Sequence, residues 1–257
     1  MLLDGKNVLI YGVRNKRSLA WGAAQSVARE GAQLVLTYLG EREEEDVRKL
    51  ASELPNSDSI LIYPCDLTIE DQVTALHANI KEKLGGLDAV LHAVAYAKKD
   101  DLDGRYVDTS RDGFLLALEV SAFSFVTACR HAEPLMPNGG SLITLTYLGG
   151  ERVVPNYNVM GVAKAALESS MRYLAFDLGP QNIRVNAVSP GPTMTLSARG
   201  IAGFGDLYKT VPMKSPLRRN TNIEEVGDTV AFMASDFARG ITGEVIYVDS
   251  GAHAIGF

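Results

Sequence analysis

The feature that most constrains this chain is a rhythm. Seven short runs, Asn7–Tyr11, Gln33–Tyr38, Ser59–Tyr63, Asp88–His92, Ser141–Thr146, Ile183–Val188 and Val245–Val248, are rich in Val, Ile, Leu and Tyr and nearly continuous in apolar character. Strands covered on both faces read this way, whereas a strand with one wet face alternates. Between them lie helix-period segments near residues 19–30, 41–54, 70–84, 110–136, 155–179 and 224–235. Parallel strands need crossovers of that length. The pattern therefore predicts an α/β fold, a single-domain Rossmann-type doubly wound parallel sheet of about seven strands with helices on both faces. No repeat or low-complexity tract divides the 257 residues, so one domain over 1–257 is expected. The rhythm breaks at 189–223, a connection rich in Pro and Gly, and loops of that length in compact domains are usually functional or disordered.

Composition narrows the class. Hydrophobic residues at 46% and charged residues at 22% describe an ordinary globular chain. A net charge of −6 argues against nucleic acid as a general partner. No apolar run approaches the roughly 20 residues of a membrane span, so no membrane insertion is expected. The N-terminus enters a strand at once, and two cysteines, Cys65 and Cys129, form no CxxC pair. These features predict a cytoplasmic protein in a reducing compartment, with no zinc site and no other metal.

In doubly wound sheets the turn after the first strand leads into a helix whose N-terminus binds a dinucleotide pyrophosphate. Here that turn is Gly12-Val-Arg-Asn-Lys-Arg-Ser18. The usual GxGxxG spacing is absent. Gly12 would allow close backbone approach, and Ser18 would cap the helix, with or without a hydroxyl to spare for phosphate. The second strand leads into Glu41-Arg-Glu-Glu-Glu-Asp46. Acid there disfavours a ribose phosphate and favours NADH/NAD over NADPH, although acids in a first helical turn also complement the helix dipole. Asp66, at the end of the third strand, fits either an adenine contact or a plain turn, and His92 reads best as a buried structural histidine.

The stretch richest in chemistry is Tyr147–Lys164. If Tyr157 and Lys164 share a helix, seven residues turn it by about 700° and rise about 10.5 Å. Both side chains then face one way, far enough apart to hold opposite ends of one ligand. An amphipathic helix with a half-buried Tyr and a solvated Lys satisfies the same spacing.

The sequences GVRNKRSLAWG at 12–22, Cys65-Asp66, TLTYLGGERVVPNYNVMGVAKAALE at 144–168, IRVNAVSPGP at 183–192 and GITGEVIYVDSG at 240–251 resemble the short-chain dehydrogenase/reductase superfamily over the full length. Within it they are similar to the bacterial NADH-dependent enoyl-acyl-carrier-protein reductases. Carbonyl-reducing relatives carry Tyr-x-x-x-Lys with an upstream Ser. This chain has Gly at 161 and Thr at 144, and shows instead Tyr-x6-Lys with a second Tyr ten residues upstream. The resemblance implies NADH-dependent hydride transfer to C3 of a trans-2-enoyl thioester, the last reductive step of fatty-acid elongation. It implies Tyr147, Tyr157 and Lys164 as catalytic residues, with Ala97, Tyr147 and Tyr157 touching substrate. It places Gly12, Ser18, Leu19, Leu39, Asp66, Leu67, Val94, Lys164, Thr193, Met194, Thr195, Leu196 and Ser197 along the dinucleotide. The family commonly has Ala where Pro190 sits, Gly or Ala at Ala95 and Ile-Arg where Thr193-Met194 sit, and the change at 193–194 leaves backbone amides to serve the pyrophosphate contact. A homotetramer is also implied.

The 189–223 segment carries Arg199, Lys209, Lys214, Arg218 and Arg219 against Asp206 alone, with Leu196, Ile201, Phe204, Leu207, Tyr208 and Met213 interspersed. Such a segment suits a substrate-covering loop that folds over an acyl chain and meets an acidic acyl carrier protein. A surface loop whose charges pair elsewhere has the same composition. The rival activities are a carbonyl or hydroxyl oxidoreductase on the same fold, such as a 3-ketoacyl thioester reductase, and a nucleotide-sensing protein without chemistry.

Overall fold

The computed structural model describes residues 1–196 and 198–255. Seven parallel strands form one sheet in the order β3-β2-β1-β4-β5-β6-β7. They are β1 Asn7–Tyr11, β2 Gln33–Tyr38, β3 Leu61–Pro64, β4 Ala89–His92, β5 Gly140–Leu145, β6 Ile183–Pro190 and β7 Val245–Val248. Register is set by apolar pairs such as Leu9↔Val35, Leu9↔Val90 and Leu142↔Val185. The helices are α1 Leu19–Arg29, α2 Glu41–Ala51, α3 Glu70–Leu84, α4 Arg111–Leu118, α5 Ser124–Ala132, α6 Asn158–Leu178, α7 Phe204–Lys214 and α8 Ile223–Ala234.

Two cores follow from the doubly wound plan. One face of the sheet buries α1, α2 and α8 through Trp21, Val27, Val47, Leu50, Val226 and Val230. The other buries α3, α5 and α6 through Val73, Leu76, Phe125, Leu167 and Met171. Each fully buried aliphatic or aromatic side chain contributes about 1.5–3 kcal/mol. The packing of α1 on α8 depends on two glycines: a Cβ on Gly22 would lie 2.2 Å from the Ile223 carbonyl oxygen, and one on Gly227 would lie 2.2 Å from the Gly22 carbonyl oxygen.

Four expectations are corrected. The third strand starts at Leu61, because Ser57–Ser59 forms a 3₁₀ turn entered through left-handed Asn56. The long helix predicted over 110–136 is interrupted by a π-helical turn at Glu119–Phe123. The segment 189–223 is not loop throughout: Ser189 and Pro190 end β6, and Phe204–Lys214 is the helix α7. Finally, the helical run Arg111–Leu135 is apolar and long enough to cross a membrane, with a mean hydropathy of 1.5 in its most apolar window. Half of that window is buried, with Phe125, Ala128, Cys129 and Ala132 in the core.

Candidate active site

Strand order reverses direction between β1 and β4, and ligands in such sheets sit beyond the carboxyl ends of the strands at that point. Several residues singled out in the sequence follow those ends, Gly12 after β1, Val94 and Ala97 after β4 and Tyr147 after β5. Tyr147 follows the end of β5 and opens a 3₁₀ turn, Leu148–Gly150, which lies against the start of α6. Tyr157 is the N-cap of α6 and not a member of it, so the picture of two residues inside one helix is corrected. Its neighbours Asn156 and Asn158 adopt left-handed φ values of 62° and 38°. Lys164 lies within the helix and is buried.

Three glycines build the floor. A Cβ on Gly149 would stand 2.4 Å from Tyr157 Cδ1, and one on Gly161 would stand 2.7 Å from the Gly149 carbonyl oxygen. A Cβ on Gly150 would meet Glu168 Oε1 at 2.9 Å. Position 161 is where a Tyr-x-x-x-Lys enzyme would carry its lysine, and here the turn after β5 leaves that position no room for a side chain. The Tyr157 and Tyr147 rings stand edge-on, 4.9 Å apart between centroids.

The electrostatics follow from burial. Desolvation pushes the Tyr147 phenol up to about 12 and raises Tyr157 further, with the Tyr147 and Glu168 charges adding to the shift, so both remain hydroxyl donors. Burial draws the Lys164 ammonium down to about 8, while Glu168 pulls it the other way. Lys164 Nζ donates to the Leu145 carbonyl oxygen at 2.7 Å. An ammonium has three N–H donors, so two remain for a ligand. His92 is the structural histidine that the sequence suggested. It is buried between the Thr144 and Ser124 hydroxyls at 3.0 and 2.8 Å, and desolvation draws it down to about 3.

At the nucleotide end Gly12 adopts φ 94°, and a Cβ there would collide with the Ala93 carbonyl oxygen at 2.3 Å. Ser18 caps α1 by accepting from Trp21 N at 3.1 Å, worth about 1 kcal/mol. Its proton goes to the Asn15 carbonyl oxygen at 2.9 Å, so reaching a phosphate requires rotation of the hydroxyl. The amides of Leu19 and Ala20 have no acceptor among the described residues, which leaves the helix N-terminus open to an anion. Leu39 is exposed, Val94 and Ala97 are half-buried, and Leu67 is buried. Asp66 Oδ1 accepts from the amide and hydroxyl of Thr68 at 2.9 and 2.7 Å, the turn-forming role. Two of the three cations of the first turn are matched, Arg14 with Glu43 at 3.3 Å and Lys16 with Glu53 at 2.7 Å, while Arg17 is exposed and has no ion pair among the described residues. Thr193 and Thr195 are half-buried, and Met194 and Leu196 are exposed. Ser197 lies outside the described residues.

Two contributors escaped the sequence reading. Buried Ser121, in the π turn, clasps Tyr96 by accepting from its amide at 2.9 Å and donating to its carbonyl at 3.1 Å. That clasp anchors the backbone beside Ala97. No pattern flagged it, because a π turn slips the helical phase. Glu168 was legible only as the residue one turn beyond Lys164. It is buried and accepts from Thr146 Oγ1 at 2.5 Å.

The 189–223 segment meets the loop before Tyr157, where Asn156 Nδ2 donates to the Ala202 carbonyl at 2.9 Å. Phe204 and Val211 of α7 are buried. Its charges are partly spoken for: Arg219 pairs with Glu225 at 2.5 Å, Arg218 donates to the Met213 carbonyl oxygen, and Lys209 stands 3.9 Å from Asp206.

Residues 12–253 match the family described as enoyl-(acyl carrier protein) reductase. The chain is 54% identical over 255 residues to the NADH enoyl-(acyl-carrier-protein) reductase FabI of Bacillus cereus, covering 99% of each protein. It is 47% identical to the NADPH enoyl-(acyl-carrier-protein) reductase FabI of Staphylococcus aureus, covering 98% of each. The crystal structure of the Bacillus cereus reductase with NADP+ and an indole naphthyridinone superposes with a TM-score of 0.97 at 54% identity, covering 100% of this chain and 99% of that one.

Proposed function

The chain belongs to the enoyl-(acyl carrier protein) reductase family, and from that premise we propose how its residues divide the work of the reaction. The activity is NADH-dependent reduction of the C2–C3 double bond of an enoyl thioester, the final reductive step of fatty-acid elongation. When bound, the cofactor would supply a hydride to C3, and a solvent-derived proton taken up at C2 completes the reduction. Between those two events negative charge develops on the thioester oxygen, and the Tyr157 hydroxyl donates a hydrogen bond to it. One such donor aimed at developing charge is worth about 3–4 kcal/mol. A phenol raised by burial keeps its proton through that step. Lys164, anchored by one N–H to Leu145, uses another to hold a ribose hydroxyl of the nucleotide, and its charge favours the enolate. Tyr147, edge-on to Tyr157, shapes and orients the thioester.

Leu19 and Ala20 amides at the N-terminus of α1 receive the pyrophosphate, with Gly12 and Ser18 beside them. Leu39, Asp66, Leu67 and Val94 line the adenosine side, and Thr193, Met194, Thr195 and Leu196 line the dinucleotide beyond it. Ala97 meets substrate through its backbone. The acids of α2 and its neighbourhood support NADH over NADPH, since a ribose phosphate would have to displace Glu43 or Glu53 to use Arg14 or Lys16 and would find Arg17 alone in that turn without an ion pair among the described residues.

The observation that carries this assignment is the glycine floor. It leaves no room for a lysine four residues after Tyr157, which supports Lys164, three residues further along α6, as the amine. The experiment is NADH oxidation with crotonyl and acetoacetyl thioesters. Consumption of NADH with the crotonyl thioester is expected, and turnover of the acetoacetyl thioester alone would overturn the assignment.

The physiological substrate is carried by acyl carrier protein, which docks near exposed Lys209 and Lys214 of α7. The assembly is a homotetramer built on exposed apolar side chains of two neighbouring helices, Tyr173 and Phe176 on α6 and Leu115 and Phe123 on α4 and the π turn. Light scattering should give four chains per particle, and Phe176→Glu should reduce that number. A monomeric wild type would remove this reading.

A further inference from the structure

Lys164 and Glu168 are four residues apart in α6, so their side chains stack one turn above the other on one face. Each grips an adjacent residue at the end of β5. Lys164 Nζ donates to the Leu145 carbonyl oxygen at 2.7 Å, and Glu168 Oε1 accepts from the Thr146 hydroxyl at 2.5 Å. All three polar groups are withdrawn from water, with Lys164 and Glu168 each 5% exposed and Thr146 4%. The carboxylate is roofed by Gly150, where any side chain would crowd Oε1. A buried carboxylate so placed makes no hydrogen bond to either phenol, and the mechanism above makes no direct use of it.

We propose that Glu168 is a positioning residue: through the paired grip on Leu145 and Thr146 it keeps the Lys164 amine charged and aimed at the ligand.

The remaining groups around the pair do not substitute for it. His92 on β4 is neutral and hydrogen-bonded to hydroxyls. Tyr147 and Tyr157, on either side of the glycine turn, are protonated phenols. Glu151, beyond that turn, bonds to the Tyr247 hydroxyl of β7. Asp249, after β7, is engaged by the His253 ring and by the amides of Gly251 and His253. Arg172 lies one turn further along α6, and its charge favours ionised Glu168 against the burial that raises that carboxyl. Glu168 is thus the negative charge nearest in sequence and on the same helix face, and it is the group that offsets the cost of burying the ammonium.

The inference rests on Lys164 serving the reaction as described under Proposed function, but its first measurement does not. Carbon-13 labelling at lysine Cε allows NMR titration of Lys164 in the protein without cofactor. Glu168→Gln keeps an acceptor for Thr146 and removes the charge. The Lys164 midpoint is expected to fall by about one pH unit, a tenfold loss of proton affinity. In the holoenzyme the alkaline limb of kcat/KM for a crotonyl thioester should move the same way, costing roughly eightfold at pH 8.5 relative to wild type. Glu168→Asp, which keeps the charge but draws it back by one methylene, should lower the midpoint by less, and it carries the test if the Gln variant does not fold. A variant with a lower Tm and an unmoved Lys164 midpoint would mean that Glu168 is only structural, and the proposal would fall. A shifted midpoint with an unmoved kinetic limb would retain the charge coupling and instead remove Lys164 from the reaction.

Discussion

Gly149→Ala tests whether Tyr157 must be where the structure puts it. The added Cβ would lie 2.4 Å from Tyr157 Cδ1, 2.9 Å from Cε1 and 3.2 Å from Tyr147 Cδ1. Carbon atoms settle at about 3.5–4.0 Å, so the Tyr157 ring must retreat by about 1 Å. It cannot retreat freely, because the ring packs on a small cluster of Ala117, Val159, Met160 and Ala163, and left-handed Asn156 and Asn158 flank its backbone. Gly149 itself has no left-handed φ, so alanine costs its own backbone nothing and the perturbation falls on the tyrosines. A misplacement of about 1 Å costs on the order of 10² in rate. The expected outcome is a kcat on a crotonyl thioester reduced by about two orders of magnitude, with NADH affinity nearly unchanged because Lys164 is held independently by Leu145. Steady-state kinetics and NADH fluorescence titration measure the two quantities. A kcat within threefold of wild type, or NADH affinity falling in parallel with kcat, would refute the reasoning.

Other expectations follow from the same geometry. Tyr157→Phe should lower kcat by 10²–10³ with NADH affinity little changed, and unchanged turnover would remove its donor role. Lys164→Ala should weaken NADH binding, slow turnover and lower Tm, because it leaves Glu168 buried without its counter-charge; normal cofactor affinity would detach Lys164 from the ribose. With the ammonium near 8, kcat/KM should decline as pH rises through about 8, since the charged form is the useful one. Between about 8 and 10.5 the unfolded chain holds more protons at this lysine than the folded one, so the group's destabilising effect is largest below 8 and fades toward 10.5. Measured by thermal unfolding, wild type should gain stability relative to Lys164→Met as pH rises from about 8 to 10.5. Lys209→Glu with Lys214→Glu should raise KM for a carrier-bound enoyl substrate more than for a short soluble thioester, and equal effects on both would argue against docking at α7. Gly227→Ala should cost about 1–3 kcal/mol by forcing α8 away from the Gly22 carbonyl oxygen, read as a lowered urea midpoint with active-site kinetics preserved.

The strands were readable because burial on both faces leaves an apolar run that needs no partner to identify it. Val245–Val248 and the helix Glu70–Leu84 appear where periodicity places them. Boundaries slipped where a local device intervened, as at left-handed Asn56 before β3 and at the two asparagines that start α6 at Asn158. Tyr157 and Lys164 were legible as a spaced pair, but the structure changes the reason for the spacing. Helical phase alone does not explain it, since Tyr157 precedes the helix, and the close approach of the Gly149 carbonyl leaves position 161 without room for a lysine. Asp66 was readable only as two alternatives, and its hydrogen bonds to Thr68 supply the turn.

By itself the sequence determined the sheet class, the location of the nucleotide turn and the residues able to do chemistry, because these depend on local periodicity and on side-chain type. Only the tertiary structure decided which distant groups share an environment. Ser121 meets Tyr96 across 25 residues because a π turn rotates it inward, and Glu168 meets Thr146 across 22 because α6 folds back on the end of β5. Such contacts are fixed by strand order and close packing rather than by spacing along the chain. That is also why the ionisation of Lys164, a property of its burial and its neighbours, had no signature in the sequence.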